Sequence, residues 1–234
     1  MAKCCQRLGI RSGINTNGLL LDSTRIQLLK EAGVDVMKVS FDSINKAIYC
    51  QMRGFLSSLR PFFNGIKTLV KNRFKVILRF TLSRINRDQL VPCYSAAQDL
   101  GVYKFQIKPL IRAGRAMDSD FFLNKEEVND ALLRISHAST GTGLLTEILC
   151  WPPVKGIGFI YKICGSVDKI YVSPKLSTSI CNYVPEASQV PMGNLARVSL
   201  ADILRRRHDE VWTESVNGYC LIRGCPNSTY FESS

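Results

Sequence analysis

Nine cysteines give this 234-residue chain its clearest capacity for chemistry, and four of them fall in the last third of the sequence. Those four are Cys164, Cys181, Cys220 and Cys225. Four thiolates are what a tetrahedral zinc ion or an iron–sulfur cluster requires. Their spacing lacks the paired CxxC motifs of a zinc ribbon. The pattern alone therefore leaves zinc, an iron–sulfur cluster and buried free thiols all open.

Polar residues also follow the first two predicted strands, as Asn15-Thr16-Asn17-Gly18 and as Ser40-Phe41-Asp42. The carboxyl ends of successive parallel strands are where α/β folds bind small molecules. Ser40 and Asp42 point the same way by strand alternation, which suits a ribose or another polyol. A purely local turn explains the first segment better, whereas a helix N-cap explains the second equally well.

Two polar residues, Arg79 and Thr81, share one face of the predicted strand Lys75–Leu82. A charged side chain within a strand is costly unless it is paired, so we expect Arg79 to face a partner or an anionic ligand. An edge strand with one exposed face is the alternative. Lys108, in the fourth predicted strand, raises the same question.

Strand and helix patterns alternate along the first half of the chain. Strands are predicted at 9–15, 34–40, 75–82 and 104–110, and helices at 44–54, 60–72, 87–100, 125–138 and from an N-cap at Ser23 to Gly33. This βαβ repetition predicts a parallel sheet with right-handed crossovers. From Cys150 onward strands become short and cysteines cluster, so we place a domain boundary within residues 140–149.

The net charge of +12 does not by itself identify a partner. The 31 cations are spread along the chain, and only Arg205-Arg206-Arg207 forms a run, late in a predicted helix where cations suit the helix dipole. This distribution argues against a nucleic-acid partner. No apolar run reaches the ~18 residues of a membrane span, and no secretory signal is visible. We therefore predict a cytoplasmic protein without a membrane partner.

The order of these segments resembles the radical SAM superfamily, and more narrowly its members with a SPASM or twitch C-terminal domain. The resemblance covers about residues 9–228, and its motifs are weak singly but specific in their order. They are Thr16-Asn17-Gly18, Ala32-Gly33-Val34-Asp35, Val39-Ser40-Phe41-Asp42, Met52-Arg53-Gly54, Thr81-Leu82 with Asn86, Ala113-Gly114-Arg115-Ala116, Cys164-Gly165, Pro174, Cys181, Gly193-Asn194-Leu195 and Ser199-Leu200-Ala201-Asp202-Ile203.

This resemblance implies an α/β fold with a partial (β/α) barrel of parallel strands over residues 1–145. A small cysteine-rich α+β domain of the SPASM/twitch type would follow over residues 146–234. Ser40 and Asp42 would line the ribose side of S-adenosylmethionine. Near the cofactor or substrate the resemblance places Thr16, Asn17, Arg79 and Thr81. The four late cysteines, Cys164, Cys181, Cys220 and Cys225, would hold an auxiliary [4Fe-4S] cluster.

The implied activity is reductive cleavage of S-adenosylmethionine to a 5′-deoxyadenosyl radical, which modifies a peptide or a small-molecule substrate such as a haem precursor. The CxxxCxxC motif of the radical-generating cluster and the glycine-glycine-glutamate segment are not found in this sequence. The resemblance therefore implies a chain that starts inside the barrel, that does not cleave the cofactor alone, and for which a separate N-terminal half is a candidate partner. Leu176 in place of a glycine and the CxxxxC spacing of Cys220 and Cys225 imply a reduced auxiliary set.

Two functions of other classes also fit the residues. One is a degenerate, non-catalytic binding module that holds a peptide or RNA on a basic surface. The other is a zinc-stabilised α/β protein, in which the late cysteines are structural. Bound iron would distinguish the radical SAM hypothesis from both of these alternatives.

Overall fold

The computed structural model describes residues 1–54, 58–111, 116, 119–162, 170–179 and 192–211. The strands are β1 Gly13–Thr16, β2 Val36–Ser40, β3 Lys75–Leu82, β4 Lys104–Pro109, β5 Leu145–Leu149, β6 Ile160–Lys162, β7 Tyr171–Val172, β8 Ser177–Ser179 and β9 Gly193–Asn194. The helices are α1 Ala2–Arg7, α2 Ser23–Glu31, α3 Lys46–Arg53, α4 Arg60–Lys71, α5 Leu90–Asp99, α6 Lys125–Ala138 and α7 Leu200–Val211. Within these ranges, no helix combines the length and hydropathy that crossing a membrane requires.

Strands β1 to β6 form one sheet whose spatial order is the order of the sequence, and every neighbouring pair is parallel. Because each strand is added on the same side of the previous one, right-handed crossovers place their helices on a single face. Strand order reverses in a doubly wound sheet but not in a (β/α) barrel. The predicted parallel α/β sheet is therefore confirmed, and its six-stranded order is that of a partial barrel.

The hydrophobic core lies between this sheet and helices α2, α4, α5 and α6. Alternate residues of each strand enter it, and in β3 these are Val76, Leu78, Phe80 and Leu82. The intervening residues Arg79 and Thr81 are half-buried and lie on the other face of the sheet. We call this second face, which is opposite to the helices, the polar face.

Side-chain hydrogen bonds cap the N-termini of α2 and α6. α6 begins at the predicted residue because Asn124 and Glu127 form a reciprocal capping box. The N-cap of α2 is Asp22, however, and not the predicted Ser23. The Asp22 carboxylate accepts a hydrogen bond from the Arg25 N–H at 2.8 Å, so the more strongly accepting group takes the cap.

The first two strands of the region from residue 145 onward continue the same sheet, and a second sheet follows them. The sequence patterns do not predict β5, which lies within the segment assigned to the domain boundary, yet β5 and β6 extend the sheet in parallel. Strands β7, β8 and β9 form a separate antiparallel sheet. The division at residues 145 and 146 and the cysteine-rich C-terminal domain stay predictions. The four late cysteines, Cys164, Cys181, Cys220 and Cys225, lie outside the described residues.

The turn after β1 depends on a glycine. Gly18 has φ +78°, and a Cβ at this position would lie 2.6 Å from Phe62 Cε2 and 2.9 Å from Val39 Cγ1. The turn is closed locally, because Thr16 Oγ1 accepts a hydrogen bond from the Gly18 N–H at 3.1 Å. The chain therefore reverses against the core with no room for a side chain.

Replacement of Gly18 by alanine should lower the free energy of unfolding by about 2–4 kcal/mol, since it combines an unfavourable φ with overpacking. Gly141→Ala is the matched control, because Gly141 has φ +77° and no atom within 4 Å of the added Cβ. The control should lose only about 1 kcal/mol. Denaturant titration measures both values, and equal losses would contradict the packing argument.

Candidate functional site

A row of polar side chains crosses the polar face, with one residue from each of four neighbouring strands. In register, Ser40 lies opposite Arg79, Arg79 opposite Gln106, and Gln106 opposite Glu147. Arg79 Nε and Nη2 each lie 3.4 Å from Gln106 Oε1, and Gln106 Nε2 donates a hydrogen bond to Glu147. A continuous hydrogen-bonded chain therefore joins β3, β4 and β5 on this face.

Glu147 is the acidic end of the row and is 2% exposed. Its Oε2 accepts from Gln106 and lies 3.5 Å from Lys104 Nζ. A buried carboxylate is tolerated when it is paired and hydrogen-bonded, as it is here. The ion pair thus fixes the relative positions of β4 and β5 on the polar face.

Four cations converge on the same face, and we call them the cation cluster: Lys38, Arg79, Lys104 and Lys108. Arg79 is central, because the register places the three lysines at diagonal positions on the adjoining strands β2 and β4. Long side chains at diagonal positions reach one another. Glu147 is the only acidic residue within β1–β6. Within these strands, the four cations of the cluster therefore outnumber the single acid.

The three residues that close β2 have separate environments. Ser40 is half-buried at the end of the polar row. Phe41 enters the core, where its ring stacks on Phe62 with the ring centroids 5.8 Å apart and meets Phe63 edge-on. Asp42 is completely buried. The aromatic packing of Phe41 thus anchors the end of β2 against the core.

Asp42 is paired inside the protein. Its Oδ2 accepts hydrogen bonds from the Arg53 guanidinium of α3, and its Oδ1 accepts one from the Thr81 N–H at 2.7 Å. Burial raises the pKa of this carboxyl above its ordinary value of 3.8, and the charge of Arg53 and the Thr81 N–H partly offset that rise. Both oxygens are engaged, so the carboxylate orients the strand ends around it.

Asn86 also joins the ends of β2 and β3. Its Nδ2 donates to the carbonyl oxygens of Asp42 and Thr81 at 2.9 and 3.0 Å, and its Oδ1 accepts from the N–H and hydroxyl of Ser83. We refer to Asp42, Arg53, Thr81 and Asn86 as the strand-end junction. It ties the carboxyl ends of β2 and β3 to each other and to α3.

The structure brings some of the predicted site residues together and separates others. Ser40, Arg79 and Thr81 share the polar face of two neighbouring strands. Thr16 lies opposite Val39 in register, on the helix side of the sheet, and Asn17 is exposed with its side chain accepting a hydrogen bond from the Leu19 N–H. The binding roles of these residues stay predictions.

Four residues of the polar face were absent from the predicted site, namely Lys38, Lys104, Gln106 and Glu147. A signal for two of them exists in the sequence, because Lys104, Gln106 and Lys108 alternate with the buried Phe105 and Ile107. Glu147 has no comparable signal. Only its register with Gln106 shows that a lone acid in a short apolar strand belongs to the row.

Asp42→Asn should lower the free energy of unfolding by about 1–3 kcal/mol, because one amide oxygen cannot accept from both Arg53 and the Thr81 N–H. Asp22→Asn is the control, since Asp22 and Arg25 form an exposed pair and asparagine is also a good N-cap. It should change stability by less than about 0.5 kcal/mol. Chemical denaturation compares the two, and a neutral Asp42→Asn would contradict the role of the junction.

Thiol labelling should separate the cysteines by their burial. Burial raises the pKa of the Cys93 thiol, and the residue is fully buried, so its thiolate is disfavoured and inaccessible. Cys4 is exposed. Iodoacetamide at mildly alkaline pH should modify Cys4 in the native protein and Cys93 only after unfolding. Mass spectrometry of tryptic peptides measures both, and equal labelling rates in the folded state would refute this.

The chain was compared with family models, with curated protein sequences and with solved structures. No family model matches the chain. Among curated proteins, it is 30% identical over 112 residues to the AdoMet-dependent heme synthase of Methanosarcina barkeri, a match that covers 48% of this chain and 32% of that protein. It is 27% identical over 154 residues to the pre-heme d1 synthase of Dinoroseobacter shibae, covering 64% and 38%. The matches thus span about a third of the length of these relatives.

Solved structures share the fold at low identity. Streptococcus suis SuiB bound to S-adenosylmethionine has a TM-score of 0.66 and 8% identity, over 87% of this chain and 50% of SuiB. Native anSMEcpe with bound AdoMet and the Kp18Cys peptide has a TM-score of 0.62 and 13% identity, over 86% of this chain and 59% of anSMEcpe. The names of the curated relatives and the fold of these neighbours together support the assignment of this chain to the radical SAM superfamily.

Proposed function

We propose that this chain is part of a radical SAM enzyme that modifies a peptide or a small-molecule cofactor precursor. The observation that carries the proposal is the polar face, which collects Ser40, Arg79, Thr81 and Gln106 on neighbouring parallel strands. Relatives are named as heme-forming synthases, and structural neighbours are described with S-adenosylmethionine and with peptides. The proposal therefore keeps both substrate classes.

The residues present fit a nucleoside at the carboxyl ends of β2 and β3. The Ser40 and Thr81 side chains are half-buried on the polar face and lie diagonally across the two strands, so their hydroxyls suit the hydroxyls of a ribose. Asp42 plays a different part in this proposal. Its carboxylate is engaged by Arg53 and Thr81, so it orients the strand end that presents Ser40 and Thr81 to the cofactor.

The late cysteines are the proposed ligands of an auxiliary [4Fe-4S] cluster: Cys164, Cys181, Cys220 and Cys225. Among the described residues, no group of three or more His, Cys, Asp or Glu lies together as a metal site. In enzymes of this superfamily the radical-generating cluster supplies the electron that cleaves S-adenosylmethionine. For this chain the residues of the polar face would bind and orient the molecules that react.

Equilibrium binding of S-adenosylmethionine to the anaerobically reconstituted full chain tests the proposal. We expect Ser40→Ala and Thr81→Val each to weaken binding about fivefold, since each loses about 1 kcal/mol of hydrogen bonding. Ser95→Ala is the matched control, because Ser95 is an exposed serine of α5 that donates to the Val91 carbonyl. It should bind the cofactor like the unmodified chain.

Other results would contradict parts of this proposal or replace the function. Binding of S-adenosylmethionine that is absent, or indifferent to Ser40 and Thr81, contradicts the cofactor site. One equivalent of zinc without iron selects a zinc-stabilised protein, and salt-dependent RNA binding without iron selects a binding module. Iron that remains after Cys164→Ala and Cys181→Ala together would contradict the proposed cluster ligands.

A further inference from the structure

We infer that a cavity on the helix side of the sheet, beside β5 and β6, binds a small neutral molecule rich in hydroxyl groups, of the class of monosaccharides. The cavity lies apart from the polar face, so the inference goes beyond the proposed function and does not depend on it. We call the cavity the hydroxyl pocket, and its described lining includes Tyr94, Ser136, Ser139, Thr142, Thr146 and Phe159.

The hydroxyl pocket lies beside a crossover that has no helix. The crossovers between consecutive strands from β1 to β5 each contain at least one helix, whereas residues 150–159, all described, join β5 to β6 without one. Trp151 and Ile157 of this segment are buried in the core. A cavity of about 360 Å³ remains between the C-terminal end of α6 and the amino ends of β5 and β6. Small-molecule sites have volumes of about 300–1,000 Å³, so the cavity is large enough for a ligand.

The pocket and the polar face lie on opposite sides of the sheet. Thr146 alternates with Glu147 along β5, so Thr146 lies on the same side as the core residue Ile148. The pocket is also at the amino end of its strands, whereas Ser40 and Thr81 lie near the carboxyl ends of theirs. A ligand in the pocket therefore does not occupy the proposed cofactor site.

Hydroxyl groups in the pocket supply both donors and acceptors. The Tyr94 hydroxyl is within a completely buried residue and lies 2.6 Å from Thr142 Oγ1. These two hydroxyls carry two hydrogens, and their mutual hydrogen bond uses one of them. Thr142 is half-buried at the cavity and can present the other to a ligand. Ser139 and Thr146 donate to backbone carbonyl oxygens at 2.9 and 3.2 Å, which leaves their own oxygens to accept.

The charge of the pocket favours a neutral ligand. Among the described residues that line it, none has a charged side chain. An ionic group placed there would lose hydration without gaining a partner of opposite charge. Anions are further disfavoured, because Ser136 and Ser139 lie at the C-terminal end of α6, where the helix dipole is negative.

An apolar wall completes the pocket. Phe159 is half-buried, and Leu144 lines the cavity with it. Ligand sites typically combine apolar and aromatic walls with a few placed polar groups. A pyranose ring has hydroxyl groups around its edge and C–H groups on its face, so it matches both parts of this lining. The pocket is therefore suited to a monosaccharide rather than to a wholly apolar molecule.

The experiment compares methyl β-D-glucopyranoside with its fully O-methylated ether, which keeps the ring but has no hydroxyl donor. Each is titrated into the full chain, and saturation-transfer difference NMR measures the dissociation constant. We expect the glycoside to bind at least about fivefold more tightly than the ether, because only the glycoside donates hydrogen bonds. Glucose 6-phosphate should bind more weakly than the glycoside, since its phosphate finds no cation in the pocket.

Variants place the binding in the hydroxyl pocket. Thr142→Val should weaken binding of the glycoside about fivefold. Gly158→Leu should abolish it, because Gly158 lines the cavity and a Cβ there meets no protein atom within 4 Å, so the side chain occupies ligand space without a clash. Thr140→Val is the matched control, since Thr140 is exposed and does not line the cavity. It should bind the glycoside normally.

Far-UV circular dichroism confirms the fold of each variant, and Gly158→Leu leaves the Tyr94–Thr142 pair in place if Thr142→Val disturbs it. Equal affinity for the glycoside and the ether would overturn the inference, as would a Gly158→Leu variant that binds the glycoside normally. Tighter binding of glucose 6-phosphate would also overturn it, because the ligand would then be an anion. Loss of S-adenosylmethionine binding by the unmodified chain, with Thr142-dependent binding of the glycoside intact, would instead refute the proposed function alone.

Discussion

The burial of one carboxylate, that of Asp42, constrains much of the arrangement on the polar face. A charge removed from water must find partners, and Asp42 finds them in Arg53 of α3 and in the backbone N–H of Thr81. These contacts come from segments far apart in the chain. They fix where β2 ends, where β3 ends, and how α3 leaves the sheet. The backbone at the ends of β2 and β3, next to Ser40 and Thr81, is consequently positioned by the junction.

The one-directional strand order gives the sheet two chemically different faces. All helices that pack on the sheet lie on one side, where aromatic residues such as Phe41, Phe62 and Phe105 fill the core. The opposite side carries the polar row together with a few apolar residues such as Ile77, so the alternation within each strand places most polar side chains away from the core. This arrangement explains why Arg79 is tolerated in the middle of a central strand. Its neighbours across the sheet are polar as well.

Local structure was largely predictable, because strong periodicity and capping chemistry act over a few residues. β3 and α6 are found where the patterns placed them, and Gly33, with φ +76°, ends α2 as expected. The polar row was predictable only in part. Arg79 stands out in the sequence as a charged residue within a strand. Only the register of Glu147 with Gln106 shows that Glu147 belongs to the polar row. Register across a sheet depends on long-range pairing, which a single sequence does not display.

The sequential order of the strands has a consequence for how the protein folds. Every pairing within β1–β6 joins strands that are consecutive in the chain, so each contact closes a loop no longer than one strand–helix unit. Closure of a shorter loop costs less chain entropy than closure of a longer one, so pairing consecutive strands is the least costly way to assemble this sheet. During synthesis the sheet can therefore grow in the direction in which the ribosome releases it. Arg79 is in place with β3, but Gln106 joins it only with β4 and Glu147 only with β5, so the polar row is completed in the order of the chain.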